Sequence, residues 1–92
     1  DEMDIDSFAE YASDYAQSID CVIMGEGMHA LYERAEIMAA EGIKLTKAEA
    51  ESMIEEVADY AEKPPMLKKI FKFSPRYNKD GQLILKGEHF LP

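Results

Sequence analysis

Three acid–base side chains sit at the spacing of a ligand set: Glu26, His29 and Glu33. Positions i, i+3 and i+7 share one face of a helix. In carboxylate-bridged di-iron bundles a Glu-x-x-His element of this kind holds iron, but it works beside a second such element and two further carboxylates. This chain carries the element once, with Gly25 and Gly27 on either side of Glu26. Each glycine weakens a helix by about 1 kcal/mol relative to alanine, so a helix through Glu26 is doubtful. No metal site and no cofactor are expected, and His29 reads as a half-exposed residue at a helix start. The other histidine, His89, lies near the end and reads as solvated. Cys21 is the single cysteine, so an intramolecular disulfide is impossible. Its neighbour Asp20 has the wrong sign to lower a thiol pKa. Within the expected first helix it reads as a small buried apolar residue. No nucleophile elbow and no glycine-rich phosphate loop occurs. An enzyme is not expected, and no catalytic residue is assigned.

The strongest signal is how the charge is distributed. Residues 1–62 carry 17 acids against 3 bases, Arg34, Lys44 and Lys47, a net of −14. Residues 63–92 carry 7 bases against Asp80 and Glu88, a net of +5, which completes the overall −9. The boundary falls on Lys63-Pro64-Pro65. Such asymmetry speaks to partners and association rather than to fold. The chain therefore reads as one domain over 1–92, made of an acidic helical body (1–62) and a basic appendage (63–92).

Both parts offer a surface. The acidic face expected to bind a partner is Glu49, Glu51, Glu55, Glu56, Asp59 and Glu62. The basic–aromatic surface is Lys68, Lys69, Lys72, Arg76 and Tyr77, interleaved with Phe71 and Phe73. Charge and stacking together bind single strands, so weak single-stranded nucleic-acid binding is one reading of segment 68–77. Its dull alternative packs the aromatics into the core. The acidic face reads as the docking surface of a small regulatory or accessory module for a protein partner that is itself basic or binds nucleic acid. A second reading has the carboxylates imitate the phosphates of a duplex and inhibit a nucleic-acid-handling enzyme. Small acidic phage inhibitors of restriction and CRISPR enzymes work in this way, a likeness of size and charge alone. The bland reading is a solvated surface. Helices two and three do not read as a DNA-binding helix-turn-helix, because the second would bring its acids against phosphates. Direct nucleic-acid contact by the acidic body and membrane association are not expected, and a homodimer is allowed.

The elements that position these residues follow from periodicity. Ile5, Phe8, Ala12, Tyr15, Ile19 and Val22 recur in steps of three and four, which predicts a first helix over about 6–24. Ser7 and Glu10 form a capping box, with Asp4 and Asp6 as rival caps. The Gly25-Glu26-Gly27 break leads to a second helix over about 28–41, with Met28, Leu31, Tyr32, Ala35, Met38 and Ala39 inward and Gly42 at the C′ position. Thr46 and Glu49 open a third helix over about 46–62 with Ala50, Met53, Ile54, Val57, Ala58 and Ala61 inward. Pro64 and Pro65 end it. Residues 66–73 fit a short helix or a strand, with the helix over about 65–71 preferred. Asn78-Lys79-Asp80-Gly81 is a turn signature, and it predicts a C-terminal β-hairpin over about 73–87. The expected fold class is α+β: a three-helix core, a short helix or strand, then the hairpin. With 92 residues and 47% apolar content, one modest core is available. No stretch has the build of a membrane span or a signal peptide, and the cytosol is the expected location. The sequence opens on Asp1; either Met3 marks a native start or the chain is a piece of a longer protein.

Overall fold

A computed structural model describes residues 1–62 and 76–87, with side chains up to Asp59 in the third helix. The elements in chain order are α1 (Ile5–Ser18), β1 (Cys21–Ile23), α2 (Glu26–Ala40), α3 (Lys47–Glu62) and β2 (Leu83–Leu85). The three-helix body is present, and a short two-stranded parallel sheet makes the molecule mixed α and β.

Helix α1 starts where a carboxylate can serve its open end. Asp4 is the N-cap, and its Oδ1 accepts the Ser7 backbone N–H at 2.7 Å. That bond favours the ionised form and holds the Asp4 carboxyl below its usual pKa. Ser7 is therefore not the cap, and the capping box with Glu10 is corrected to its rival Asp4. The helix ends at Ser18 rather than continuing to Met24, and Asp20 turns the chain with a left-handed φ of 62°. The apolar stripe that predicted 6–24 runs on through Ile19 and Val22, but Ile19 is 36% exposed and Val22 is in a strand. Cys21-Val22-Ile23 suits an extended chain, because two β-branched residues pack well on a pleated surface. Its partner strand begins some sixty positions later in the chain (Cys21 pairs with Leu83), so no local pattern announces it. Cys21 is buried, as expected, but on a strand rather than a helix.

Strands β1 and β2 pair in parallel, with Cys21 opposite Leu83, Val22 opposite Ile84 and Ile23 opposite Leu85. Parallel neighbours need a long crossover, and here the connection passes through α2 and α3. The predicted C-terminal hairpin over 73–87 is not confirmed: its second strand is in a parallel pair with β1. Its turn forms: the Asn78 Oδ1 accepts the N–H groups of Asp80 and Gln82, both at 2.9 Å, and Gly81 takes φ 85°. Beyond the turn one antiparallel bridge joins Tyr77 to Leu83, and the Ile84 N–H reaches the Arg76 carbonyl at 2.8 Å. The rest of its first strand lies outside the described residues, and so does the expected short helix over 65–71. Segment 83–85 takes β1 as its main partner because that pairing buries Leu83 and Leu85 among the helices. An isolated hairpin offers no such burial.

The two glycines around Glu26 do different jobs. Gly25 caps α2 with φ 43°, so the expected break is real, but the helix begins at Glu26, two residues earlier than expected. Gly27 lies inside the first turn and is buried. A Cβ there would sit 2.6 Å from the Leu85 carbonyl oxygen and 2.9 Å from Ile23 Cγ2. The helix start can lie this close to the sheet only because the side chain is absent. At the other end α2 closes as a Schellman motif: Ile43 N–H donates to the Met38 carbonyl at 2.9 Å and Gly42 N–H to Ala39 at 3.1 Å. Gly42 takes φ 80°, as its predicted C′ place requires. Thr46 Oγ1 then accepts the Glu49 N–H at 3.3 Å and opens α3.

The core forms where the three helices and the sheet meet. Phe8, Leu31, Ile54 and Leu85 are its largest fully buried side chains. Burying each contributes about 1.5–3 kcal/mol. Ala9, Ala12 and Ala16 of α1 and Ala50 of α3 are also fully buried, and such small residues let helix axes approach closely. Most of the predicted inward positions are buried or partly buried, while Ala39 is exposed.

Candidate functional site

The acids expected as one face of α3 separate into two rows. Glu51, Glu55 and Asp59 follow one another at steps of four on one flank. Glu49 and Glu56, seven apart, share a second. Glu62 lies in α3, but its side chain is outside the described residues.

The first row faces α1. The Tyr11 hydroxyl donates to Glu51 Oε2, and the Tyr15 hydroxyl donates to Glu55 Oε2 at 2.7 Å. Each bond joins residues 40 apart in the chain. A constant offset over one helical turn means that α1 and α3 run side by side in the same direction. The two phenols therefore rise along the seam in step with the two carboxylates. Lys47 Nζ stands 5.5 Å from the centre of the Tyr11 ring, within cation–π range. A carboxylate that accepts from a phenol makes the phenolate harder to form. The bond to Glu55 and then burial push the Tyr15 hydroxyl up to about 12, and Tyr11 is raised by Glu51 in the same way. Glu51 and Glu55 are consequently oriented groups with a fixed donor.

Glu49 and Glu56 differ. Both are exposed, with no side-chain partner among the described residues. His29 Nε2 lies 2.9 Å from Glu33 Oε1, with side chains 76% and 49% exposed. Glu26 lies one turn before His29 in the same helix, so a helix does pass through it. Even so, among the described residues no three His, Cys, Asp or Glu side chains converge as a metal set.

Of the basic–aromatic surface, Arg76 and Tyr77 are described, and both are exposed, Tyr77 at 55%. Lys68, Lys69 and Lys72 lie outside the described residues, as does His89. Among the described residues no helix is long and apolar enough to cross a membrane.

Two features escaped the sequence reading. One is the tyrosine seam. Its signal was present, because Tyr11 and Tyr15 repeat the four-residue step of Glu51 and Glu55, but nothing local says that these two flanks meet. The other is a pair of exposed isoleucines, Ile37 at 44% and Ile43 at 40%. They lie at the end of α2 among the acids Glu33, Glu36 and Glu41.

Comparison with protein-family models, curated proteins and solved structures finds no match to this chain.

Proposed function

We propose that this protein is a non-catalytic binding module that docks on a cationic protein partner through the carboxylates of its helical body. One observation carries the reading. Residues 1–62 hold 17 acids against 3 bases, and every acid whose side chain is described there is exposed apart from the half-buried Glu51. The negative charge thus faces outward and exceeds what the three bases of the body can neutralise. Such a field speeds encounter with a positive surface and penalises a negative one. The regulatory or accessory role expected from the sequence is kept as part of this proposal, with Glu49 and Glu56 as contact residues.

The test is capture of partners from native lysate with and without nuclease, followed by binding of the purified partner at rising salt. The reading expects a basic protein, retained after nuclease treatment. It expects weaker binding as salt rises and after Glu49→Lys with Glu56→Lys. Efficient turnover of a small-molecule substrate would refute it. So would a partner whose binding is indifferent to salt and to both reversals.

A further inference from the structure

We infer that the C-terminal end of α2 is a docking surface for a cationic amphipathic helix of a protein partner. The inference rests on the charge-led docking just proposed and adds to it an apolar contact at the end of α2.

The argument starts with apolar surface. Ile37 and Ile43 keep 44% and 40% of their surface in water. The Schellman closure, with Ile43 N–H on the Met38 carbonyl, folds Ile43 back beside the last turn of α2. Ile37 and Ala40 line a shallow cleft of about 280 Å³ whose other walls are Glu33 and Glu36. Around the corner Ile43 and Ala39 line a second cleft of about 370 Å³, which Glu2 and Asp4 also border. The result is an aliphatic strip divided between two clefts, each bordered by carboxylates.

Electrostatics then selects the occupant. The carbonyl end of a helix carries partial negative charge and is stabilised by cations. The last turn of α2 has no base, and its C-cap is Glu41. Lys44 follows beyond the loop, and Arg34 lies further back on the helix, half-buried. The end of α2 therefore keeps an unfavourable accumulation of negative charge that an incoming cation would relieve. An apolar ridge flanked by lysine or arginine meets both demands at once. Its aliphatic side chains cover Ile37, Ala40 and Ile43, and its cations reach Glu33, Glu36 and Glu41. An anionic membrane or a nucleic acid would bring like charge against these acids. So would the same face of a second copy.

The test uses the full chain and two labelled synthetic peptides of equal positive charge. One is a leucine–lysine peptide patterned as an amphipathic helix, and the other replaces its leucines by glycine and serine. Fluorescence anisotropy at moderate salt reads the affinities. The leucine–lysine peptide is expected to bind at least about tenfold tighter. Ile37→Ser with Ile43→Ser is expected to abolish that advantage. Glu10→Gln with Asp14→Asn, exposed on α1 and outside both surfaces, should change it less than about twofold. Both isoleucines are exposed, and circular dichroism checks the fold. Ile43→Ser alone, outside every helix, serves if the double variant is unstable. Equal binding of the two peptides would overturn the inference. Loss of binding on Glu49→Lys with Glu56→Lys, with the advantage untouched by the isoleucine substitutions, would overturn it while charge-led docking stands. If neither peptide binds, both fall. A dimer that the isoleucine substitutions dissociate would assign the strip to a second copy and would also overturn it.

Discussion

Gly27→Ala should destabilise the protein, although it places a better helix former in a helix. The added methyl would lie 2.6 Å from the Leu85 carbonyl oxygen and 2.9 Å from Ile23 Cγ2. Both distances are well inside van der Waals contact, and the nearer atom is backbone, so no rotamer change relieves it. Forcing one carbon into a packed site costs about 1–3 kcal/mol. The intrinsic preference for alanine over glycine returns at most about 1 kcal/mol. Subtracting leaves a net loss of about 0–2 kcal/mol, toward the upper end because the 2.6 Å contact is with backbone, and each kcal/mol lowers the midpoint of a domain of this size by roughly 4–8 °C. Urea unfolding followed by far-UV circular dichroism measures it, with an unchanged slope showing that the unfolded state is not the cause. Ile23→Ala in the Gly27→Ala background should recover only part of the loss, because the Leu85 oxygen remains. The result bears on topology. Only the pairing of β2 with β1 places the Leu85 carbonyl above Gly27, so a Gly27→Ala variant at least as stable as the parent would refute that pairing.

Three further outcomes are expected. Tyr15 should ionise late in an alkaline titration followed by tyrosinate absorbance. Its folded pKa of about 12 lies above the ordinary 10.0, so its bond to Glu55 supports the fold fully below pH 10 and is lost as pH rises through about 12. Tyr15→Phe should remove that late step, and a titration unchanged by the substitution would break the assignment. Asp20→Gly should stabilise by up to about 1 kcal/mol, because φ 62° strains a side-chain-bearing residue, whereas Asp20→Val should destabilise; thermal midpoints separate the two. Leu85→Ala should cost about 2–5 kcal/mol in chemical unfolding, since Leu85 is fully buried, and a loss below 1 kcal/mol would place β2 outside the core.

Much of the helical body was legible because helices are local. Thr46 with Glu49 marked the start of α3 and Gly42 the end of α2, each within a few residues of the atoms that close the motif. The inward stripes of α2 and α3 followed from the same step of three and four. The first helix was misjudged at its end for the converse reason. Ile19 and Val22 continue its periodicity, and only the arrival of Leu83–Leu85 from far along the chain makes 21–23 a strand. The Asn78 turn was read correctly from four residues. The parallel pairing of its outgoing strand with β1 was not, since a turn signature reports chain reversal and says nothing of a partner some sixty positions away. The acidic surface was visible in composition, but its division was not, because the seam that ties Glu51 and Glu55 to tyrosines depends on which flank of α3 meets α1.

The chain alone settled that there are three helices, where α2 stops and α3 starts, and that the first 62 residues would be strongly negative, because caps, periodicity and charge are properties of neighbouring residues. Only the folded molecule decided that Gly27 must lack a side chain, that two carboxylates would be held by phenols, and that two isoleucines would remain in water at the end of α2. Those facts depend on contacts between segments tens of residues apart, whose geometry is fixed by the packing of the whole core around Phe8, Leu31, Ile54 and Leu85.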